Sequence, residues 1–356
     1  MQHLSIEEIQ ARSLVGQTLE QIKAQLSEWG EPSYRAEQIY KWVHRQNVDS
    51  FEEMTNIPKA LRQKLEDHNS LKTLTLVKKE SARDGTVKFL WKLYDGRHIE
   101  SVWIPEKKRN TLCVSSQVGC SLGCDFCATG TMGLIRNLTP GEIVEQVLQV
   151  QKHTGNSLTN VVFMGMGEPF LNYGRVIQAC QILNDPLGVA ISARKITIST
   201  SGVTPKIYQF ADEQHPYKLA ISLHAPTQEL REKFMPIAKK FPLDGLVESL
   251  KYYMQKNKRY RVTFEYILLR GINSSPAHAR QLISLLGQLR SKLNLIPCNE
   301  NDLGFEAPTA EEISTLMKAF EKAPFAVMVR KNRGEDITAA CGQLAVEVTE
   351  KSIHMK

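Results

Sequence analysis

From Thr111 onward, short apolar runs alternate with amphipathic stretches, and this alternation limits the possible folds more than any other feature of the 356 residues. The runs fall at 112–114, 161–164, 195–198, 219–223, 262–268 and 293–296, each of strand length. Segments of helical period separate most of them. One helix opens as Thr139-Pro140-Gly141-Glu142 and another as Thr309-Ala310-Glu311-Glu312, each a threonine three residues ahead of a capping glutamate. Six such β–α units predict an α/β fold with a parallel sheet curled toward a barrel. Its functional groups belong at the C-terminal ends of the strands.

Two smaller units precede this core. Residues 1–75 read as short helices, with Ala36, Ile39, Tyr40 and Val43 on one face of a helix over 33–46, and Arg35, Lys41 and Arg45 elsewhere. Those cations form either a solvated face or an RNA-contacting surface. Residues 76–105 read as a β-meander. Val87, Phe89, Trp91 and Leu93 alternate with Lys88, Leu90, Lys92 and Tyr94, between hairpin turns at Asp84-Gly85 and Asp95-Gly96. The third strand carries Glu100 on the same side as Val102 and Ile104, where an acid is either an edge residue in water or a buried carboxylate with a role. Residues 106–345 form the core, ending in a segment that bears Cys341.

The cysteines are Cys113, Cys120, Cys124, Cys127, Cys180, Cys298 and Cys341. An odd number crowded around one loop argues for metal or redox work rather than a disulfide framework. Lys and Arg number 45 against 38 Asp and Glu, a formal charge of +7, which permits phosphate neutralisation on RNA without requiring it. No secretory signal and no apolar run of membrane-spanning length is visible, so a cytosolic protein without membrane contact is expected.

Cys120, Cys124 and Cys127 stand in Cys-Ser-Leu-Gly-Cys-Asp-Phe-Cys, directly after the first core strand. A structural zinc site normally takes four ligands. Three thiolates suit a [4Fe–4S] cluster whose fourth iron stays open for a ligand that does chemistry, with S-adenosylmethionine the leading candidate. On the cysteine loop alone, a zinc or electron-transfer site remains an alternative. Gly165-Met166-Gly167-Glu168-Pro169, just after the second strand, adds glycines that admit close backbone approach and a carboxylate able to accept from an ammonium. Cys180 shares a helical face with Val176 and Leu183 and reads as core; Cys298 has no assigned role. Taken singly, Cys113 and Cys341 read as small buried hydrophobes.

The cysteine loop, with Phe126 before its last cysteine, and the Gly167-Glu168 segment resemble the radical S-adenosylmethionine superfamily. Thr111-Leu-Cys-Val-Ser-Ser-Gln-Val-Gly-Cys120, Ser199-Thr-Ser-Gly202, Ser222-Leu-His224 and Ala340-Cys-Gly-Gln-Leu-Ala345 resemble the RlmN group of RNA adenosine methyltransferases. That resemblance implies a partial (β/α)6 radical S-adenosylmethionine barrel with a small N-terminal RNA-binding helical domain and the meander as an extension. It implies one [4Fe–4S] cluster on Cys120, Cys124 and Cys127. The S-adenosylmethionine pocket would comprise Gly167, Glu168, Ser199, Ser222, Leu223, His224 and Asn299.

The implied reaction forms 2-methyladenosine in 23S rRNA, at the peptidyl-transferase centre, and in tRNA, at the adenosine 3′ of the anticodon. Carbon 2 of adenine is electron-poor, so the methyl would first be loaded onto Cys341, a competent nucleophile as its thiolate. A second S-adenosylmethionine, cleaved to a 5′-deoxyadenosyl radical, would remove hydrogen from that methyl, and the resulting carbon would add to the base. Glu100 would take the proton from carbon 2. Cys113 would then attack Cys341, releasing methylated RNA and a disulfide for cellular thiols to reduce. The base must be reached in single-stranded or locally opened RNA. A flavodoxin-type one-electron reductant and a monomeric chain are also expected.

The chain departs from the group's usual pattern in two places. After Asn299 it continues Glu300-Asn301-Asp302 rather than with a Pro/Gly-rich loop, and Val346 follows Leu344-Ala345 where the group often has glycine. Competing readings are the Cfr-type sister group that methylates carbon 8, a radical enzyme acting on protein, which would not need Cys113 and Cys341, and a non-catalytic metalloprotein that binds RNA.

Overall fold

The computed structural model describes residues 5–299 and 303–345; the divergent positions 300–302 and Val346 lie outside the described residues. The meander is present as β1 (Leu74–Ser81), β2 (Val87–Leu93) and β3 (His98–Glu106), paired antiparallel. Gly85 and Gly96 make its two turns at φ of +84° and +81°, a conformation that favours glycine. β4 (Arg109–Cys113) pairs antiparallel with β3 and then leads the parallel series β7 (Asn160–Phe163), β8 (Ile196–Thr200), β9 (Lys218–Ser222), β10 (Val262–Leu268) and β11 (Ser291–Pro297).

All six expected core strands are therefore found. A seventh, β12 (Ala326–Val329), adds in parallel to β11. Its four residues are mostly exposed, so it lacks the buried alternation that makes a strand legible. Val102 and Ile104 of β3 wall the same cavity as Met328 and Val329 of β12. The sheet therefore curls until its two sides face each other. The Thr139 capping box forms as expected, with the Thr139 hydroxyl accepting from Glu142 N–H and the Glu142 carboxylate accepting from Thr139 N–H.

Between β4 and β7 lies a hairpin absent from the sequence reading, β5 (Gln117–Gly119) with β6 (Leu134–Asn137). It brackets the cysteine loop. Gly119 has φ +73°, and a Cβ there would stand 1.9 Å from the Gly133 carbonyl oxygen, so the two ends of the loop close only with glycine.

The N-terminal helices pack behind the barrel. Ala36, Ile39, Tyr40 and Val43 are all buried, and the helix Tyr34–Lys41 widens into a π turn over Trp42–Gln46. Gln178 donates to the Gly16 carbonyl at 2.7 Å and Asn47 to the Leu148 carbonyl at 2.8 Å, docking this unit on the helices Tyr173–Asn184 and Pro140–Thr154. Arg35 is engaged internally, donating to Gln38 and to the Asn56 carbonyl, whereas Arg45 is exposed.

One alternation reading needs correction. Alternation places Lys88 on the face away from the apolar side of β2, yet it is buried. The second face of the meander is covered, because residues 333–345 run across it. Lys88 Nζ donates to Thr338 Oγ1 at 3.0 Å, Gly334 N–H to Asp84 at 3.3 Å, and Arg83 N–H to Asp336 at 3.1 Å. The meander is thus the platform on which the Cys341 segment lies.

Candidate active site

Strand ends and the cysteine loop build one cavity at the C-terminal edge of the sheet. It is lined by Cys120, Cys124 and Cys127 from the loop, Gly167 and Glu168 after β7, Ser199 and Ser201 at β8, Ser222 and His224 at β9, and Cys341. The loop is held by main-chain bonds: Cys120 N–H to the Gly133 carbonyl (2.9 Å), Asp125 N–H to Phe234 (3.1 Å) and Ala128 N–H to Gly342 (2.8 Å). Phe126 wedges between the rings of His224 and Phe234, edge-on to both, at 4.9 and 5.8 Å between centroids.

Burial pushes the Cys120 thiol up to about 12 and raises Cys124 further. Such thiols keep their protons in water and release them when a metal takes the sulfur. Among the described residues, no three His, Cys, Asp or Glu side chains converge as the ligands of a single ion. A [4Fe–4S] cluster asks for something different, one thiolate on each of three separate irons, and three largely buried thiols around a common cavity fit that donor set.

The rest of the wall suits a ligand with an ammonium and hydroxyls. Gly167 has φ +96°, and a Cβ there would meet Gln117 Cβ at 2.4 Å. Gln117 Oε1 in turn accepts the Glu168 N–H at 2.7 Å. The Glu168 carboxylate is buried and accepts from Phe170 N–H at 2.9 Å and Ser201 N–H at 2.8 Å, which aims it along the cavity wall. Ser199 Oγ and Ser222 Oγ lie 3.4 Å apart. His224 sits at φ +58°, a strained backbone that Asn273 steadies by donating to the carbonyls of His224 (2.9 Å) and Ile267 (2.7 Å). Its Nδ1 accepts from Ile267 N–H at 3.0 Å, and burial lowers its pKa to about 3. The ring is therefore neutral with Nε2 as a donor. Leu223 does not line the cavity; its side chain joins the main core, while its carbonyl accepts from Arg231 at 3.2 Å.

A second, wider cavity runs down the barrel interior, from Cys113, Asn299 and Arg330 at the C-terminal strand ends to Arg109, Lys218 and Lys292 at the N-terminal ends. Cys341, Cys127 and Gly342 line both cavities. Cys341 opens onto this junction, with Gly342 at φ +83° turning the chain beside it. Enclosure raises the Cys341 thiol while Arg330 opposes the rise; burial pushes Cys113 up to about 12, and the nearby Cys341 adds to it.

Glu100 does not touch either cavity wall. It lies on the β3 face that carries Val102 and Ile104, close to the backbone of Ala345. Its Oε1 meets Lys88 Nζ at 3.2 Å, and its Oε2 is buried without a hydrogen-bond partner. Burial raises its pKa against the opposing pull of Lys88. Asn299 is buried at the second cavity with an unpartnered Oδ1.

Two site residues escaped the sequence reading. Glu265 lines both cavities, accepts from Asn294 at 2.9 Å and faces Arg330 at 3.6 Å. Its signal was present, an acid inside the apolar run 262–268, of the same kind that drew attention to Glu100. Arg330 follows the unrecognised β12 and had no element to place it. Cys180 is core, as expected.

Comparison with known proteins adds the following. Residues 12–71 match the family described as the ribosomal RNA large subunit methyltransferase N-terminal domain, and residues 114–283 match the Radical SAM superfamily. The chain is 47% identical over 336 residues to the probable dual-specificity RNA methyltransferase RlmN of Geobacillus kaustophilus, covering 93% of this chain and 92% of that protein. It is 44% identical over 337 residues to the dual-specificity RNA methyltransferase RlmN of Anaeromyxobacter dehalogenans, covering 92% and 90%. The crystal structure of a radical SAM methyltransferase from Sphaerobacter thermophilus superposes with a TM-score of 0.89 at 43% identity, over 93% of this chain and 98% of that one.

Proposed function

Because the chain belongs to the RlmN family of radical S-adenosylmethionine RNA methyltransferases, we propose that it forms 2-methyladenosine in 23S rRNA and tRNA by way of a methylated Cys341. The rRNA target is the peptidyl-transferase-centre adenosine and the tRNA target the adenosine 3′ of the anticodon. The observation that carries this reading is the position of Cys341 on the wall shared by the two cavities, one holding the cysteine loop and the other holding Cys113. A methyl carrier needs that double access.

Cys120, Cys124 and Cys127 would hold the cluster, and Gly167, Glu168, Ser199, Ser222, the Leu223 backbone, His224 and Asn299 would bind and orient S-adenosylmethionine. When bound, the cluster supplies the single electron that makes S-adenosylmethionine a hydrogen-abstracting reagent. Everything else falls to the protein. The Cys341 thiolate displaces the methyl from one sulfonium, releasing S-adenosylhomocysteine, and Arg330 beside it favours the thiolate. With the methylene carbon bonded to carbon 2, the adduct must lose one electron, which returns to the cluster, and the proton on carbon 2. Glu100, on the strand face beside Val102 of the long cavity, would accept that proton. Cys113 attacks the Cys341 sulfur; the sulfur–carbon bond breaks, its electron pair passes to the methylene, and protonation there completes the methyl group. An external thiol reduces the resulting disulfide, and a flavodoxin-type donor supplies the electron. The long cavity would receive the flipped base, its cations meeting the flanking phosphates. The chain acts as a cytoplasmic monomer in this reading.

Cys341→Ala is expected to abolish RNA methylation while leaving iron and sulfide content intact; methylation that persists in this variant would remove the carrier role. Nucleoside mass spectrometry of the wild-type product should give 2-methyladenosine. Finding 8-methyladenosine would move the enzyme to the chemistry of the sister group.

A further inference from the structure

Arg231, on the short helix Gln228–Phe234, is fully buried, and no carboxylate among the described residues lies within ion-pair distance of it. Its Nε donates to the Leu223 carbonyl at 3.2 Å, and its Nη2 to the carbonyls of Ser201 at 2.5 Å and Ser222 at 3.4 Å. Nη1 is buried with no partner at all. A guanidinium stripped of water and left without a directly paired anion is costly. Neutral carbonyls do not repay that cost, so the site is built for an anion.

Negative charge on Cys124 or Glu168 opposes the lowering that burial imposes on the guanidinium, and the Asp125 N–H bond to the Phe234 carbonyl ties the cysteine loop to the end of the Arg231 helix. Arg231 does not line the cavity, so it meets no ligand there directly. It stands behind the cysteine loop. We propose that Arg231 is the counter-cation of the iron–sulfur cluster, holding its charge from behind Cys124 and setting its reduction potential; this rests on the assignment of Cys120, Cys124 and Cys127 as cluster ligands.

The charge balance supports the assignment. An oxidised [4Fe–4S] core with three thiolates carries one net negative charge, Glu168 another, and S-adenosylmethionine one net positive charge. Without Arg231 the enclosed set is anionic before any electron arrives, and reduction adds a second uncompensated charge. With Arg231 it is neutral when oxidised. Fixed cations and hydrogen bonds near such a cluster raise its potential. A purely structural Arg231 would tie the ends of β8 and β9 through the same three carbonyls, but its loss would leave the potential unmoved.

The test is a redox titration of reconstituted holoenzyme, followed by electron paramagnetic resonance, for wild type, Arg231→Lys and Arg231→Gln. At the potential where the wild-type cluster is half reduced, Arg231→Gln should show a ratio of reduced to oxidised cluster about tenfold lower, a shift of about 59 mV for one electron. Arg231→Lys should stay within about twofold of wild type. The proposal is overturned if Arg231→Gln titrates with the wild type, or if Arg231→Lys shifts as far as Arg231→Gln. If Arg231→Gln takes up no iron, the melting of its iron-free form decides. Melting with the wild-type apoprotein supports the counter-cation, and a lowered melting temperature identifies a structural tie and overturns it. Wild-type protein without iron and sulfide would instead sink the cluster assignment itself.

Discussion

Glu100 and Lys88 face each other diagonally across β2 and β3, since Leu90 pairs with Glu100 and Lys88 with Val102. Both are buried, and Lys88 also reaches Glu80 at 3.5 Å. A carboxylate in this position is tuned by two opposing forces: burial favours its protonated form, and the ammonium favours the charged one. As a base it works only when deprotonated, so the proton-removal step should quicken as pH rises through its raised pKa. Removing the cation in Lys88→Met should move that limb to higher pH, because the carboxylate then keeps its proton longer. Lys88→Arg should restore it. Following the decay of the protein–RNA adduct against pH measures this directly, and an unmoved limb would detach Glu100 from the proton transfer. The acid on the apolar side of β3 was visible in the sequence; its partner was not. Alternation assigns Lys88 to a face, but it cannot tell that residues 333–345, more than two hundred positions away, return to cover that face.

At the scale of elements, Thr73 pins the start of the meander to the barrel. Its N–H and its hydroxyl both donate to Glu145 Oε2 at 2.6 Å, and Gln149 donates to Oε1 at 3.2 Å. Glu145 lies fully within the helix Pro140–Thr154, and burial raises its pKa from 4.5 to about 7, the Thr73 and Gln149 bonds acting the other way. Unfolded, this carboxyl loses its proton near 4.5; folded, it keeps it to about 7. Between those values the native state binds more protons, so stability falls as pH rises across that window and levels off above it. The effect reaches up to roughly 3 kcal/mol. Glu145→Gln keeps an acceptor for Thr73 and carries no charge. Chemical denaturation should therefore find the variant more stable than wild type at pH 8 and nearly equal at pH 5; a wild-type curve flat between those values would refute the assignment. The core strands were legible because each carries a continuous apolar run. The β5–β6 hairpin was not, since its pairing is set by the closure of Gly119 against Gly133 across the cysteine loop rather than by any apolar pattern.

For the molecule as a whole, the proposed reaction would divide the two cavities between radical chemistry and substrate. The N-terminal helices dock on the back of the barrel, against the helices that cover β4 and β7, and they contribute nothing to either cavity wall. Composition gave only a modest positive charge; the fold concentrates part of it. Arg109, Lys218, Lys292, Lys331 and Arg333 line the long cavity. Arg109 and Arg333 are partly neutralised, by Glu106 at 2.9 Å and by Asp84 at 3.6 Å. Lys218 and Lys292 form no ion pair among the described residues and crowd one another, and Lys218 is lowered by burial and then by Lys292. Two like charges held together without acids cost stability unless an anion joins them, and an RNA strand brings phosphates at short intervals. Each phosphate contact adds about one to the slope of log affinity against log salt. Lys218→Ala combined with Lys292→Ala should weaken RNA binding at low salt and reduce that slope by about two. Iron content and the proposed methyl loading of Cys341, which needs no RNA, should stay at wild-type levels. Binding measured over a salt series decides the matter: an unchanged slope would place the RNA backbone elsewhere on the molecule and leave the long cavity to the base alone.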